Sequence, residues 1–159
     1  IDILCTGDDF GGQNGPLVSP SMWDRFLRRG FQAYIRLGHE HGARVMHHTC
    51  GAVFDLIPRF IECGLDVLQS LQPEAFGMEP ARIKEQFGDR LAFQGGVSIQ
   101  RVLPRAKPQR VRAHVAEVLS AMMPGGGYIA GTSHNVQADV PIAAVQALFD
   151  AYRTVGCYG

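Results

Sequence analysis

His48 and Cys50 stand one residue apart, where the apolar run Ala43 to His47 gives way to Gly51. An imidazole and a thiolate at this H-x-C spacing can reach one metal ion, and soft sulfur beside nitrogen favours zinc. A helix opening at Gly51 would lower the thiol pKa and help to keep it deprotonated. Two ligands do not complete a tetrahedral site. The pair reads equally as a buried thiol beside a hydrogen-bonded histidine. Asp8 and Asp9 close an earlier apolar run, Asp2 to Thr6. A carboxylate there can act as general base, metal ligand or anchor for a substrate cation. The alternative is a loop cap accepting from the backbone N–H groups of Gly11 and Gly12. The functional role suits Asp8 better than Asp9.

His134 lies in the polar string Thr132-Ser133-His134-Asn135, which follows the run Tyr128 to Ala130. A histidine in that place can serve as an acid, a base or a binding group, or can bond a loop carbonyl. Gln94-Gly95-Gly96 allows a close backbone approach to a ligand or absorbs a tight bend. His47 alternates with His48 and should face the other way as a structural residue. His39, His41 and His114 fall on expected helices and read as surface residues. Ser133, His134 and Asp8 could be written as a hydrolytic triad, but no nucleophile-elbow sequence supports one.

Elements of regular length must position these groups. Five short apolar runs, Asp2 to Thr6, Ala43 to His47, Val67 to Leu71, Leu91 to Gln94 and Tyr128 to Ala130, predict strands. Helices are predicted between them over roughly 21–41, 52–63, 80–87 and 108–122, with a last one near 141–154. Ser21 and Asp24 resemble a capping box, and Gly42 can close the first helix in the left-handed conformation. Pro108 and Pro141 suit first turns, whereas Pro58 should kink or restart its helix. Met78, Met122 and Met123 read as filler for the core or for surface loops.

Strand alternating with helix predicts βαβ units and a parallel sheet in one α/β domain over 1–159. An open nucleotide-binding sheet would need a glycine-rich phosphate turn after its first strand. Gly7-Asp-Asp-Phe-Gly-Gly12 puts two carboxylates there, which repel pyrophosphate. A parallel barrel should instead crowd polar residues at the carboxyl ends of its strands. Asp8 and Asp9, His48 and Cys50, Gln69 and Gln72, Gln94 and Gln100, and Ser133 and His134 fit that rule.

The bulk composition narrows the function classes. Fifteen basic and fifteen acidic residues cancel, with 46% hydrophobic content, so a soluble globular chain is expected rather than a nucleic-acid binder. The dense basic stretch Arg101 to Arg112 reads as a solvated loop and helix face. No apolar run reaches the ~18 residues of a membrane span, so no membrane partner is expected. Four scattered cysteines argue for reduced thiols in the cytoplasm. The sequence opens without Met on a strand-like run, as expected of a portion of a longer protein.

Taken together, Gly7-Asp-Asp-Phe-Gly-Gly-Gln13, Ser19-Pro20, His48-Thr-Cys-Gly51, Gly64-Leu-Asp66, Gln72-Pro73 and Phe87-Gly88 follow a recognisable order. Phe93-Gln-Gly-Gly96 with Gln100, Gly125-Gly-Gly-Tyr128, and Ser133-His134 with Asp139-Val-Pro141 extend it. In these motifs the chain resembles the uroporphyrinogen decarboxylase superfamily, which includes zinc-dependent, corrinoid-linked methyltransferases. The resemblance implies the carboxy-terminal portion, about five βα units, of a (β/α)8 TIM barrel. A portion of that kind should not catalyse alone, and its open edge should be covered by self-association or by a second fragment.

The resemblance also implies one pocket, with Asp8 and His134 catalytic and His48 and Cys50 as metal ligands. Asp9, Gln13, Gln72, Gln94, Gly95 and Ser133 would bind substrate. Methyltransferases of the superfamily add a later Cys near the last strand. Here that place reads Thr132-Ser133-His134, leaving His134 or Asp8 as the replacement. The favoured reading is therefore a methyltransferase-like enzyme using zinc and a corrinoid partner protein. The alternatives are decarboxylation of a tetrapyrrole in haem synthesis, which needs no cofactor, and a non-catalytic barrel.

Overall fold

All five apolar runs form strands, and every one runs in the same direction. The computed structural model describes residues 1–157. Its strands are β1 (Ile3–Gly7), β2 (Arg44–His48), β3 (Val67–Leu71), β4 (Ala92–Val97) and β5 (Tyr128–Thr132). They hydrogen-bond side by side in the order β1-β2-β3-β4-β5, each pair parallel. Helices α1 (Pro20–Phe26), α2 (Arg28–Glu40), α3 (Ile57–Glu62), α4 (Pro80–Phe87), α5 (Pro108–Met122) and α6 (Ile142–Val155) form the crossovers. Parallel neighbours need such crossovers, because no tight turn can reverse the chain twice.

The first helix is broken where a single one was expected. Leu27 ends α1 and caps α2, so Trp23 on one half and Phe31 and Ile35 on the other share one buried cluster. The capping residue is Ser19 rather than Ser21: its side chain accepts from Met22 N, and Pro20 occupies the first turn. Asp24, freed from that duty, pairs with Arg28 at 3.1 Å and Arg59 at 2.9 Å. Around Pro58 a 3₁₀ turn over Phe54–Leu56 passes into α3, which is the predicted restart. Gly42 adopts φ +74°, as the end of α2 requires.

Strand β4 continues through Gly95 and Gly96 to Val97, three residues past its predicted end at Gln94. A Cβ on Gly95 would lie 2.8 Å from Leu71 N, and one on Gly96 would lie 3.1 Å from Val118 Cγ1. Glycine there lets β4 approach β3 and α5. Met78 and Met122 are core filler, and Met123 packs beside them. The arginines and lysine of Arg101 to Arg112 are all exposed. Among the described residues, no helix is long and apolar enough to cross a membrane.

The centre of the helix-side core is aromatic. Phe31 and Phe60 stack at 5.0 Å, Trp23 meets both edge-on, and Phe10 stacks on His47 at 5.3 Å. His47 is 1% exposed, with Nδ1 at 3.0 Å from Thr6 Oγ1 and 2.9 Å from Tyr34 Oη. Burial holds its pKa down at about 4, because a charged ring would lose its water among apolar neighbours. Between pH ~6.5 and ~4 the unfolded chain therefore binds a proton that the folded chain does not. Stability should fall across that window by about 3 kcal/mol and lose this slope below it. Urea unfolding at several pH values tests this against His47→Gln, which should show a clearly shallower slope, the remainder including that of His114, whose pKa burial also lowers; an equal slope in both proteins would refute it.

Candidate functional site

Alternation along β2 sends His47 into the helix layer and His48 to the opposite, inner face. Gly7 sits directly across from His48 in the β1–β2 register. His48 Nδ1 lies 3.1 Å from Gln69 Oε1, and its Nε2 lies 3.5 Å from Cys50 Sγ. The His134 ring stands edge-on to His48 at 5.4 Å. One donor atom each from His48, Cys50 and His134 falls within 4.8 Å of the others. His48 and His134 border a cleft of about 220 Å³ whose other walls are Gln69, Ser70, Gln94, Thr132 and Asn135.

Backbone contacts fix Cys50. Gly51 has φ +83° and rests directly on the backbone of Gly11 and Gly12, an approach that no Cβ would permit. Ala52 N donates to Gly12 O, Cys50 N to Asp9 Oδ1 at 2.8 Å, and Phe10 N to Thr49 Oγ1 at 2.8 Å. Gln72 Oε1 accepts from Gly51 N at 3.0 Å, while its amide donates to Gln13 Oε1. The loop after β1 is thereby clamped to the end of β2.

His134 is fixed through its neighbour. Ser133 N donates to Val97 O, its Oγ accepts from Ile99 N, and its carbonyl accepts from Ser70 Oγ. Thr132 Oγ1 donates to His134 O at 2.6 Å, and Asn135 N donates to His134 Nδ1 at 2.8 Å.

The sequence-predicted site thus divides. His48, His134 and Gln94 meet at one cleft, and Cys50 joins the two histidines in the donor cluster. Asp8 is exposed at the end of β1 and stands outside the donor cluster, so His134 is the residue that joins the H-x-C pair. Asp9 caps Cys50 N rather than Gly11 or Gly12. Gln13, Gln72 and Ser133, expected to touch substrate, brace the scaffold; Ser133 is 1% exposed with its oxygen turned to Ile99. Gly95 is covered by Leu71 and the hydroxyl of Tyr128. His114, expected on the surface, is partly buried with Nε2 accepting from Ser98 N. The Cys50 thiol is pushed up, not down: burial raises its pKa, Asp9 adds to the effect, and no helix begins at Gly51 to oppose them.

Ser70, Thr132 and Asn135 were not anticipated. The β3–β4 register shifts between Gln69 and Leu71, and this irregularity carries Ser70 toward Cys50, 3.8 Å away. Strict alternation could not have revealed it.

Comparison with known proteins agrees with this fold. A methyltransferase from Methanosarcina mazei superposes with a TM-score of 0.75 at 23% identity, over 98% of this chain and 43% of that one. The chain thus spans less than half the length of the solved structure it matches. No curated protein matches. Residues 2–155 match the family model described as Uroporphyrinogen decarboxylase (URO-D). A parallel βα sheet with its polar groups at the strand ends, matched along nearly its whole length, belongs to the uroporphyrinogen decarboxylase family.

Proposed function

We propose that this chain carries the metal-holding half of a methyltransferase-like enzyme of the family, acting with a corrinoid-bearing partner protein. The observation that supports this most is the convergence of His48, Cys50 and His134. Bond lengths of about 2.0–2.3 Å put the ligands of a tetrahedral zinc about 3.3–3.8 Å apart. The 3.5 Å between Cys50 Sγ and His48 Nε2 fits that edge, and His134 would need to move by about 1 Å. Two imidazoles and one thiolate suit zinc, with the fourth position left for substrate.

When bound, zinc would supply a Lewis acid that activates a thiol or a leaving oxygen for methyl transfer. The chain's own groups have separate duties. His48, Cys50 and His134 hold the ion, Asp9 fixes the backbone of Cys50, and Gln94 and Asn135 can orient a polar substrate. Asp8, at the mouth, is placed to hold or accept a proton from a group entering from solvent. A working thiolate ligand requires a reducing compartment, as the cytoplasm provides. Ile3 on β1 and Ile129 on β5 are exposed on the two sheet edges, and further barrel strands or a second copy would cover them.

Decarboxylation of a pyrrole acetate would call for cationic clamps on the carboxylates. The cleft walls contain amides, hydroxyls and two imidazoles but no arginine or lysine. Metal analysis of the purified protein tests the choice. One zinc per chain, lost in Cys50→Ser, is the expected result. Metal-free protein that consumes uroporphyrinogen would overturn it.

A further inference from the structure

Gln69 and His48 are direct partners in the β2–β3 register, so both side chains lie on the inner face of the sheet. At 3.1 Å the contact between His48 Nδ1 and Gln69 Oε1 is a hydrogen bond, and an amide oxygen can only accept. The proton must then sit on Nδ1. A neutral imidazole carries one N–H, so Nε2 keeps its lone pair, and Nε2 is the atom 3.5 Å from Cys50 Sγ.

One group competes. Asp9 Oδ1 lies 3.8 Å from His48 Nε2 and would draw the proton to that nitrogen. The same oxygen already accepts from Cys50 N at 2.8 Å, and 3.8 Å is beyond an N–H···O bond. Gln69 wins on distance.

We infer that Gln69 is a positioning residue that locks His48 in the Nδ1–H tautomer and so presents the Nε2 lone pair to Cys50 and His134. The inference rests on the metal-site reading above for its purpose, but not for its test. A second residue that orients a ligand in this way, through its other ring nitrogen, usually matters for affinity by about 10–100-fold.

Long-range ¹H–¹⁵N spectra of histidine-labelled, metal-free protein at about pH 8, where imidazoles are neutral, read the tautomer directly. In the wild type His48 should carry its proton on Nδ1. Gln69→Leu should shift the proton to Nε2 and weaken zinc binding by about 10–100-fold. Gln69→Glu, which keeps an acceptor, should restore both. A wild-type His48 protonated on Nε2 overturns the inference, and needs no variant to fold. So does a Gln69→Leu protein with tautomer and zinc affinity unchanged. Protein that binds no zinc yet shows the expected tautomer and its shift in Gln69→Leu sinks the metal reading and upholds the role of Gln69.

Discussion

Replacing His134 by alanine is expected to weaken zinc binding by about a hundredfold or more, whereas His134→Cys should hold the ion. Outer partners of a metal ligand already change affinity by about 10–100-fold, and removing a ligand should cost at least as much. Without His134 the remaining donors are His48 and Cys50, and two ligands leave zinc half coordinated. Cysteine returns a thiolate at the same place. The substitution is clean because the anchoring of this segment lies elsewhere: Ser133 bonds Val97, Ile99 and Ser70 through its backbone and hydroxyl. Competition with a chromophoric chelator gives the affinities, and circular dichroism should show an unchanged fold. Equal affinity in His134→Ala and wild type would remove His134 from the site and return the third position to Asp8.

The reason His134 and not Asp8 lies beside the H-x-C pair was not visible in the residue types. Both follow a strand, and both are chemically suitable. What separates them is the path of the chain after the strand. Beyond β1 the chain turns away, with Gly11 pressed on Gly51, so Asp8 stays exposed at the rim. Beyond β5 the backbone is pulled in by Ser70 and Val97, which bring His134 over His48. Both are contacts between segments far apart in the chain, and local pattern carries no record of them.

Where position followed from period, the sequence was a sufficient guide. Alternation alone placed His47 in the helix layer and His48 at the mouth, and the five apolar runs became the five strands. It failed where a residue's bond mattered more than its side. Gln72 and Ser133 stand at strand ends, as a binding group would, yet their side-chain oxygens are taken by backbone N–H groups. Cys50 shows the same limit in electrostatics. A thiol beside a glycine before a helical stretch looked activated, but the next turn begins only at Phe54, too late for its N–H groups to help. Burial then dominates, and a bound cation would be needed to reverse the shift.

Phe60→Ala is expected to destabilise the chain by about 3–5 kcal/mol, a large share of the ~5–15 kcal/mol that holds a domain folded. Phe60 has no exposed surface and lies within ring contact of Phe10, Trp23, Phe31 and His47, at 5.0–6.3 Å. Truncation would open a cavity between three helical elements and the back of β2, where rigid rings cannot collapse to fill it. The site should feel the change as well. Phe10 is both a wall of this cluster and the residue after Asp9, and its N–H is tied to Thr49 beside Cys50. Loosening Phe10 loosens the clamp on the H-x-C pair, so Phe60→Ala should also weaken metal binding although it lies in the helix layer. Phe76→Ala is the control: that ring is 73% exposed, and its loss should stay within about 0.5 kcal/mol. Urea unfolding midpoints of the two variants against wild type decide the matter. A shift for Phe60→Ala no larger than that for Phe76→Ala would mean that the aromatic cluster does not carry the fold.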